Sequence, residues 1–253
     1  PTLEQVLREM PLVRVRANSR GEAQPSLRGA TDRHIAVLMD GVPLTMGWDH
    51  RTDLSIIPLT AARSIHLLRG LSSVLYGPNV LAGVVSINVA RGVDRLEAPP
   101  PATLSAALDD NGGLVLGATV ARSIESGGGQ WLVQGGGGFR DRPGFSIPGS
   151  DSEIPGDPAL LSADGDLRLN SDARHMDAFV SARYQGDGGG WMSLTSSGFD
   201  VERGVPPETH EANPRFWRYP DETRVITAVS GGTGRKQTGW GMGDLEASLG
   251  LDF

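Results

Sequence analysis

The chain has 253 residues, with 23 Lys and Arg against 30 Asp and Glu, a formal net charge of −7. That balance argues against binding nucleic acid through phosphate neutralisation. The absence of cysteine excludes a disulfide scaffold, a thiolate zinc site and cysteine catalysis. Glycine, at 35 residues, is about twice its ordinary share without a collagen period, which argues against a helical bundle.

In chain order, Thr2-x-x-Gln5 has capping-box spacing, and Leu3, Val6, Leu7 and Met10 share a helical face, predicting a short helix that Pro11 ends. Val13 to Arg16 alternates as a strand, and residues 18–26 read as polar loop. His34 to Met39 is an apolar strand, and Asp40-Gly41 is a two-residue hairpin signal. The return strand through Val42 and Pro43 should be brief, because proline cannot donate to a ladder. Pro58 suits a first helical turn. Ser64 to Leu68 reads as strand, Ser72 to Tyr76 as short helix, and Gly83 to Val89 as a closing strand. No signal peptide is visible. The uncharged run Gly70 to Ala90 is long enough for a membrane helix, but its glycines, Pro78 and serines favour turn, helix and strand. Residues 1–95 therefore read as one α+β unit.

Composition shifts at the Pro-rich linker 96–101, and no helix is expected beyond it. Leu114, Leu116, Ala118 and Val120 share one face of an alternating segment. Trp131, Val133, Gly135, Gly137 and Phe139 do the same, as do Met176, Ala178, Val180, Ala182 and Tyr184, with Phe179 as the exception to alternation. Leu245 to Phe253 alternates most clearly. Segments of about ten residues with period two fit transmembrane β-barrel strands, and a soluble β-sandwich gives the same pattern. Residues 140–172 and 202–222 read as long loops.

Residues 27–92 carry five short pieces in order: Leu27-Arg28-Gly29, Val37 to Leu44 with Asp40-Gly41, Ile65 to Gly70 ending in Arg69-Gly70, Ser72 to Gly77 with Tyr76-Gly77, and Gly83 to Asn88. Together they resemble the plug domain of TonB-dependent outer-membrane receptors. Gly204 to Arg218 resembles early barrel sequence in some members. His66 and Leu71 stand where the family usually has Glu and Pro. The resemblance implies an α+β plug followed by antiparallel strands of a 22-stranded transmembrane barrel, with residues 102–253 supplying only its N-terminal part. Such a barrel needs more than about 400 residues at roughly 10 per strand. The roughly 150 residues after the linker provide for seven or eight strands, so the chain is read as an N-terminal portion or a truncated product.

The resemblance also implies site roles. Arg28 and Arg69 would latch the plug to barrel glutamates beyond residue 253. Plug loops at Met46 to Thr52 and Gly77 to Val80 would help bind ligand, which singles out Trp48, Asp49, His50, Arg51 and Asn79. Phe216, Trp217 and Tyr219 are either a binding loop or an aromatic girdle. Asp40, Gly41, Gly70, Tyr76 and Gly77 serve turn geometry. Gly135 to Gly138 lacks the Lys-Ser/Thr of a phosphate loop and reads as small residues passing close to a plug.

No histidine pair has ligand spacing, and the acidic run Asp151 to Asp166 lacks an EF-hand pattern, so no metal, cofactor or catalytic residue is expected. The implied function is receptor-mediated uptake of a scarce solute, a ferric siderophore or cobalamin, with outer-membrane lipid around the wall. The energy would come from the TonB–ExbB–ExbD complex, although no TonB box is recognised in the chain. A soluble periplasmic β-sandwich enzyme or lectin is the rival reading.

Overall fold

A computed structural model describes residues 2–45, 51–70, 76, 80–90, 100–146, 167–207, 213 and 215–253. Helix α1 (Leu3–Glu9) starts where the Gln5 side-chain oxygen accepts the Thr2 N–H at 3.1 Å, and it buries Leu3 and Leu7. Strand β1 (Val13–Ala17) then pairs antiparallel with β2 (Ala23–Leu27). The loop expected over 18–26 is thus strand from residue 23. Its polar residues Gln24 and Ser26 alternate with buried Ala23, Pro25 and Leu27, and β2 has an unpaired edge where Pro25 is tolerated.

A four-stranded sheet in the order β4-β3-β6-β5 forms the rest of the front unit, from β3 (Ile35–Met39), β4 (Val42–Pro43), β5 (Ser64–Arg69) and β6 (Gly83–Asn88). Asp40 and Gly41 join β3 to β4 at φ 47° and 88°, the two positive angles of a primed hairpin turn. Pro58 does not begin a helix. It bridges Thr2, and five of the six residues Leu54 to Leu59 are buried, which a one-faced helix does not allow.

The second sheet has seven strands, each antiparallel to its neighbours: β7 (Ala102–Leu108), β8 (Leu114–Ser126), β9 (Gly129–Arg142), β10 (Ala173–Gly186), β11 (Trp191–Val205), β12 (Trp217–Gly232) and β15 (Glu246–Asp252). A small hairpin of β13 (Lys236–Thr238) and β14 (Gly241–Gly243) lies between the last two. Most of the linker lies outside the described residues. The loop expected over 202–222 is shorter than predicted, because β11 runs to Val205 and β12 starts at Trp217. Pro220 fits inside β12 because the register slips there: Val201 faces Glu222 but Arg203 faces Tyr219.

Register places the predicted apolar residues on one outward face. Leu116, Phe139 and Met176 form one row across β8, β9 and β10, and Val120, Gly135 and Val180 form another. Leu104, Val180 and Leu249 are 84%, 64% and 71% exposed there, the surface of a wall that meets lipid. The outward hydroxyls of Ser196 and Thr227 pair with each other at 3.0 Å. Phe179 breaks the alternation because its side faces the front unit, where it is buried with Phe199, Val201 and Ile226 in one core with Leu3, Met39, Leu54 and Ile87. The 127–128 and 187–190 turns and the 233–245 connection lie at one end of the wall, and Arg142, Ala173, Val205 and Trp217 stand at the other.

Candidate functional site: the seam between front unit and wall

The inward face of the wall is polar and is held to the front unit by side-chain hydrogen bonds at several heights. Near the short-turn end, the Asp40 carboxylate accepts the N–H groups of Val89 and Ala90 at 2.8 and 3.1 Å and the Thr195 hydroxyl at 2.8 Å. The Ser230 hydroxyl donates to the Asp40 carbonyl at 3.0 Å. Asp40 thus combines its turn role with a seam contact. Beside it, Arg183 donates to the Ala90 carbonyl at 2.6 Å, its guanidinium 4.3 Å from the Trp191 ring centre, and Gln134 donates to the Val89 carbonyl at 3.0 Å.

Toward the loop end the contacts become ionic. Arg203 of β11 reaches Asp53 of the front unit at 2.6 Å and Glu222 of β12 at 2.8 Å. It also donates to the Ser55 hydroxyl at 2.7 Å and the Gly21 carbonyl at 3.1 Å, with its guanidinium 4.7 Å from the Tyr219 ring centre. Asp53 is itself organised by the Ala23 N–H at 2.9 Å and the Ser55 hydroxyl at 2.7 Å. Arg203 and Asp53 are almost fully buried. A buried guanidinium needs such saturated partnering to offset its desolvation. Between these levels the Thr60 hydroxyl donates to Asp177 at 3.1 Å, and a His175 ring nitrogen lies 3.1 Å from the Ser55 carbonyl.

Two glycines let the sheets approach. A Cβ at Gly138 would stand 2.7 Å from the Thr60 hydroxyl, and one at Gly250 would stand 2.3 Å from a Val42 methyl. Of the run Gly135 to Gly138 expected to pass close to a plug, Gly138 does so, whereas Gly135 and Gly137 lie in outward rows with Val180 and Ala178.

The residues expected to act are distributed unevenly. Arg28, at φ 51°, and Arg69 are both exposed, and Arg69 donates to the Pro11 carbonyl at 2.8 Å. Neither meets a wall glutamate among the described residues. Arg51 is half-buried and lies 3.4 Å from Asp32. Gly70 has φ 119°, and Tyr76 is exposed. Trp48, Asp49, His50, Gly77 and Asn79 lie outside the described residues. Trp217 and Phe216 are exposed at the loop end, whereas Tyr219 faces inward against Arg203.

An outward aromatic pair stands at the other end of the wall. Trp131 and Tyr184 face outward beside the short turns with ring centres 5.1 Å apart. The Arg203–Asp53 pair had no local signal in the sequence, since 150 residues separate its members. Just outside β10, Asp172 is paired with Arg218 at 2.6 Å, and the hydrogen bonds from that guanidinium hold its carboxyl below the usual aspartate range.

The front unit is thus bonded to the polar face of a seven-stranded wall whose other face is apolar. Residues 1–84 match the TonB-dependent Receptor Plug Domain family. The chain is 37% identical over 90 residues to the vitamin B12 transporter BtuB of Photobacterium profundum, covering 35% of this chain and 15% of that protein. It is 34% identical over 92 residues to heme/hemopexin utilization protein C of Haemophilus influenzae, covering 36% of this chain and 13% of that one.

Among solved structures, the FrpB iron transporter of Neisseria meningitidis superposes with a TM-score of 0.70 at 14% identity, over 98% of this chain and 37% of that one. The copper transporter OprC gives 0.68 at 16%, over 99% and 35%. These identities establish the fold, a plug followed by antiparallel barrel strands, and the chain spans well under half the length of each protein. Three of these proteins are named as transporters, of vitamin B12, iron and copper.

Proposed function

We propose that residues 1–95 plug, and residues 102–253 begin to enclose, a receptor that takes up a scarce solute across the outer membrane, with 96–101 linking the two. The solute class is a metal chelate or corrinoid: a ferric siderophore or cobalamin, with haem the nearest variant given the relatives' names. The observation that carries this reading is the seam. A plug held to the wall by polar side chains at several heights, beside the apolar contact around Phe179 and Phe199, can exchange those hydrogen bonds with water as it shifts.

Ligand recognition falls to the loop end, where Arg51 and Trp217 are exposed or half-buried and where Trp48, Asp49, His50 and Asn79 belong by sequence. Arg28 and Arg69 would latch the plug to glutamates of the remaining wall. The TonB–ExbB–ExbD complex would supply the force from the inner membrane, and no covalent chemistry is required of the chain. The soluble β-sandwich reading is disfavoured by the exposed leucines of the outward face, which a sandwich would bury.

The test uses the full-length protein in an outer membrane. Equilibrium binding of ferric siderophores, cobalamin and haem should find one tight class, and its uptake should stop when TonB is removed. Binding of none of these, or uptake that continues without TonB, overturns the assignment.

A further inference from the structure

The outward face carries five charged residues from the loop end of the wall that sit in ion pairs: Asp141 with Arg174 at 3.3 Å, and Arg218 with both Asp172 and Glu202. Arg122 on β8 is different. It faces outward between Val120 and Ile124, opposite Val133, and is exposed. Among the described residues, no hydrogen bond or ion pair holds it. It lies one side-chain step, roughly 7 Å along the strand, further into the apolar band than Ile124 and the Trp131–Tyr184 pair. The Tyr184 hydroxyl donates to the carbonyl of Gly128 in the short turn, which marks that level as the membrane boundary. An arginine at this depth reaches its charge back to the headgroups while its stem lies along apolar surface.

Beside it the wall is hollowed. Gly135 stands in the row between Val120 and Val180, and Ala182 stands next to Val133, so two small residues leave a depression of about 490 Å³ rimmed by Val120, Ile124, Val133, Val180 and Leu194. Its open surface is almost wholly apolar, with Arg122 at the rim. A guanidinium that reaches back to the headgroup level, beside an apolar trough running toward the bilayer centre, has the shape and charge of one lipid molecule in reverse.

We propose that Arg122 and this hollow bind one glycerophospholipid of the leaflet at the short-turn end, phosphate on the guanidinium and one acyl chain in the trough. The inference rests on the membrane reading of the wall, and its test separates the two. The full-length protein is extracted from outer membranes in mild detergent, and retained lipid is counted by native mass spectrometry. Wild type should keep one phospholipid. Arg122→Gln should retain about fivefold less, the factor a single arginine contributes at an anionic lipid surface. Arg122→Lys should restore retention, and Ala182→Leu, which fills the trough without touching the arginine, should lower it.

Equal retention in wild type and Arg122→Gln, or retention of lipopolysaccharide in place of phospholipid, overturns the site while leaving the receptor reading intact. Failure of the wild-type protein to enter the outer-membrane fraction overturns both.

Discussion

Arg203 reaches across from wall to plug through Asp53, the Ser55 hydroxyl and the Gly21 carbonyl, while Glu222 and the Tyr219 ring hold its guanidinium from the wall side. Removing one member of a buried pair leaves the other charge desolvated, at a cost on the order of 3–5 kcal/mol. Arg203→Ala and Asp53→Asn should therefore each lower the thermal midpoint and expose the plug to protease. A double-mutant cycle should return a coupling of about 0.5–3 kcal/mol, and strictly additive effects would show the pair to be idle. Asp172 makes a pH prediction at the same scale. Its carboxyl titrates lower in the folded protein, because Arg218 donates to it. The pair thus contributes stability above the ordinary aspartate range and loses it as the pH falls through that range and below. The protection of amides at the start of β10, measured relative to their intrinsic exchange rates, should fall on acidification, and Asp172→Asn should flatten that response.

At the scale of strands, the wall divides its residues by parity. Val180 and Ser181 are neighbours in β10, yet one is 64% exposed toward lipid and the other is 4% exposed against the seam, bonded to Thr195 at 3.1 Å. An arginine at Val180, near the middle of the band, should cost about 2–4 kcal/mol of membrane stability, read as a drop in heat-resistant folded protein in outer-membrane extracts. Parity is also what made the wall legible in sequence: Met176, Ala178, Val180, Ala182 and Tyr184 name their face through period two alone. The Asp40-Gly41 turn was equally legible, since its backbone demand is met within two residues. Less visible was β2, because Gln24, Pro25 and Ser26 look like loop until β1 pairs with them. Arg203, Asp53 and the outward isolation of Arg122 were not legible either. Each depends on which residue stands across a sheet or a seam, and no local composition encodes that.

For the molecule as a whole, the question is whether the plug must leave the wall for a solute to pass. The seam carries polar contacts at several heights, from Asp40–Thr195 through Thr60–Asp177 to Asp53–Arg203, that can be exchanged for water, while separation would also have to expose the apolar core that Phe179, Phe199, Val201 and Ile226 share with the plug. The chain contains no cysteine, so an introduced pair has no competitor within these residues. Thr60→Cys with Asp177→Cys would place two thiols where a 3.1 Å side-chain hydrogen bond now joins plug to wall. If uptake requires this side of the plug to separate from β10, the oxidised protein should still bind its solute but fail to transport it, and a reductant should restore transport. The untouched Arg203–Asp53 pair keeps the loop end in place, so binding serves as the control for an intact fold. Transport at the wild-type rate with the cross-link verified by mass shift would mean that the solute passes without this contact breaking, and the moving part would have to lie elsewhere on the plug.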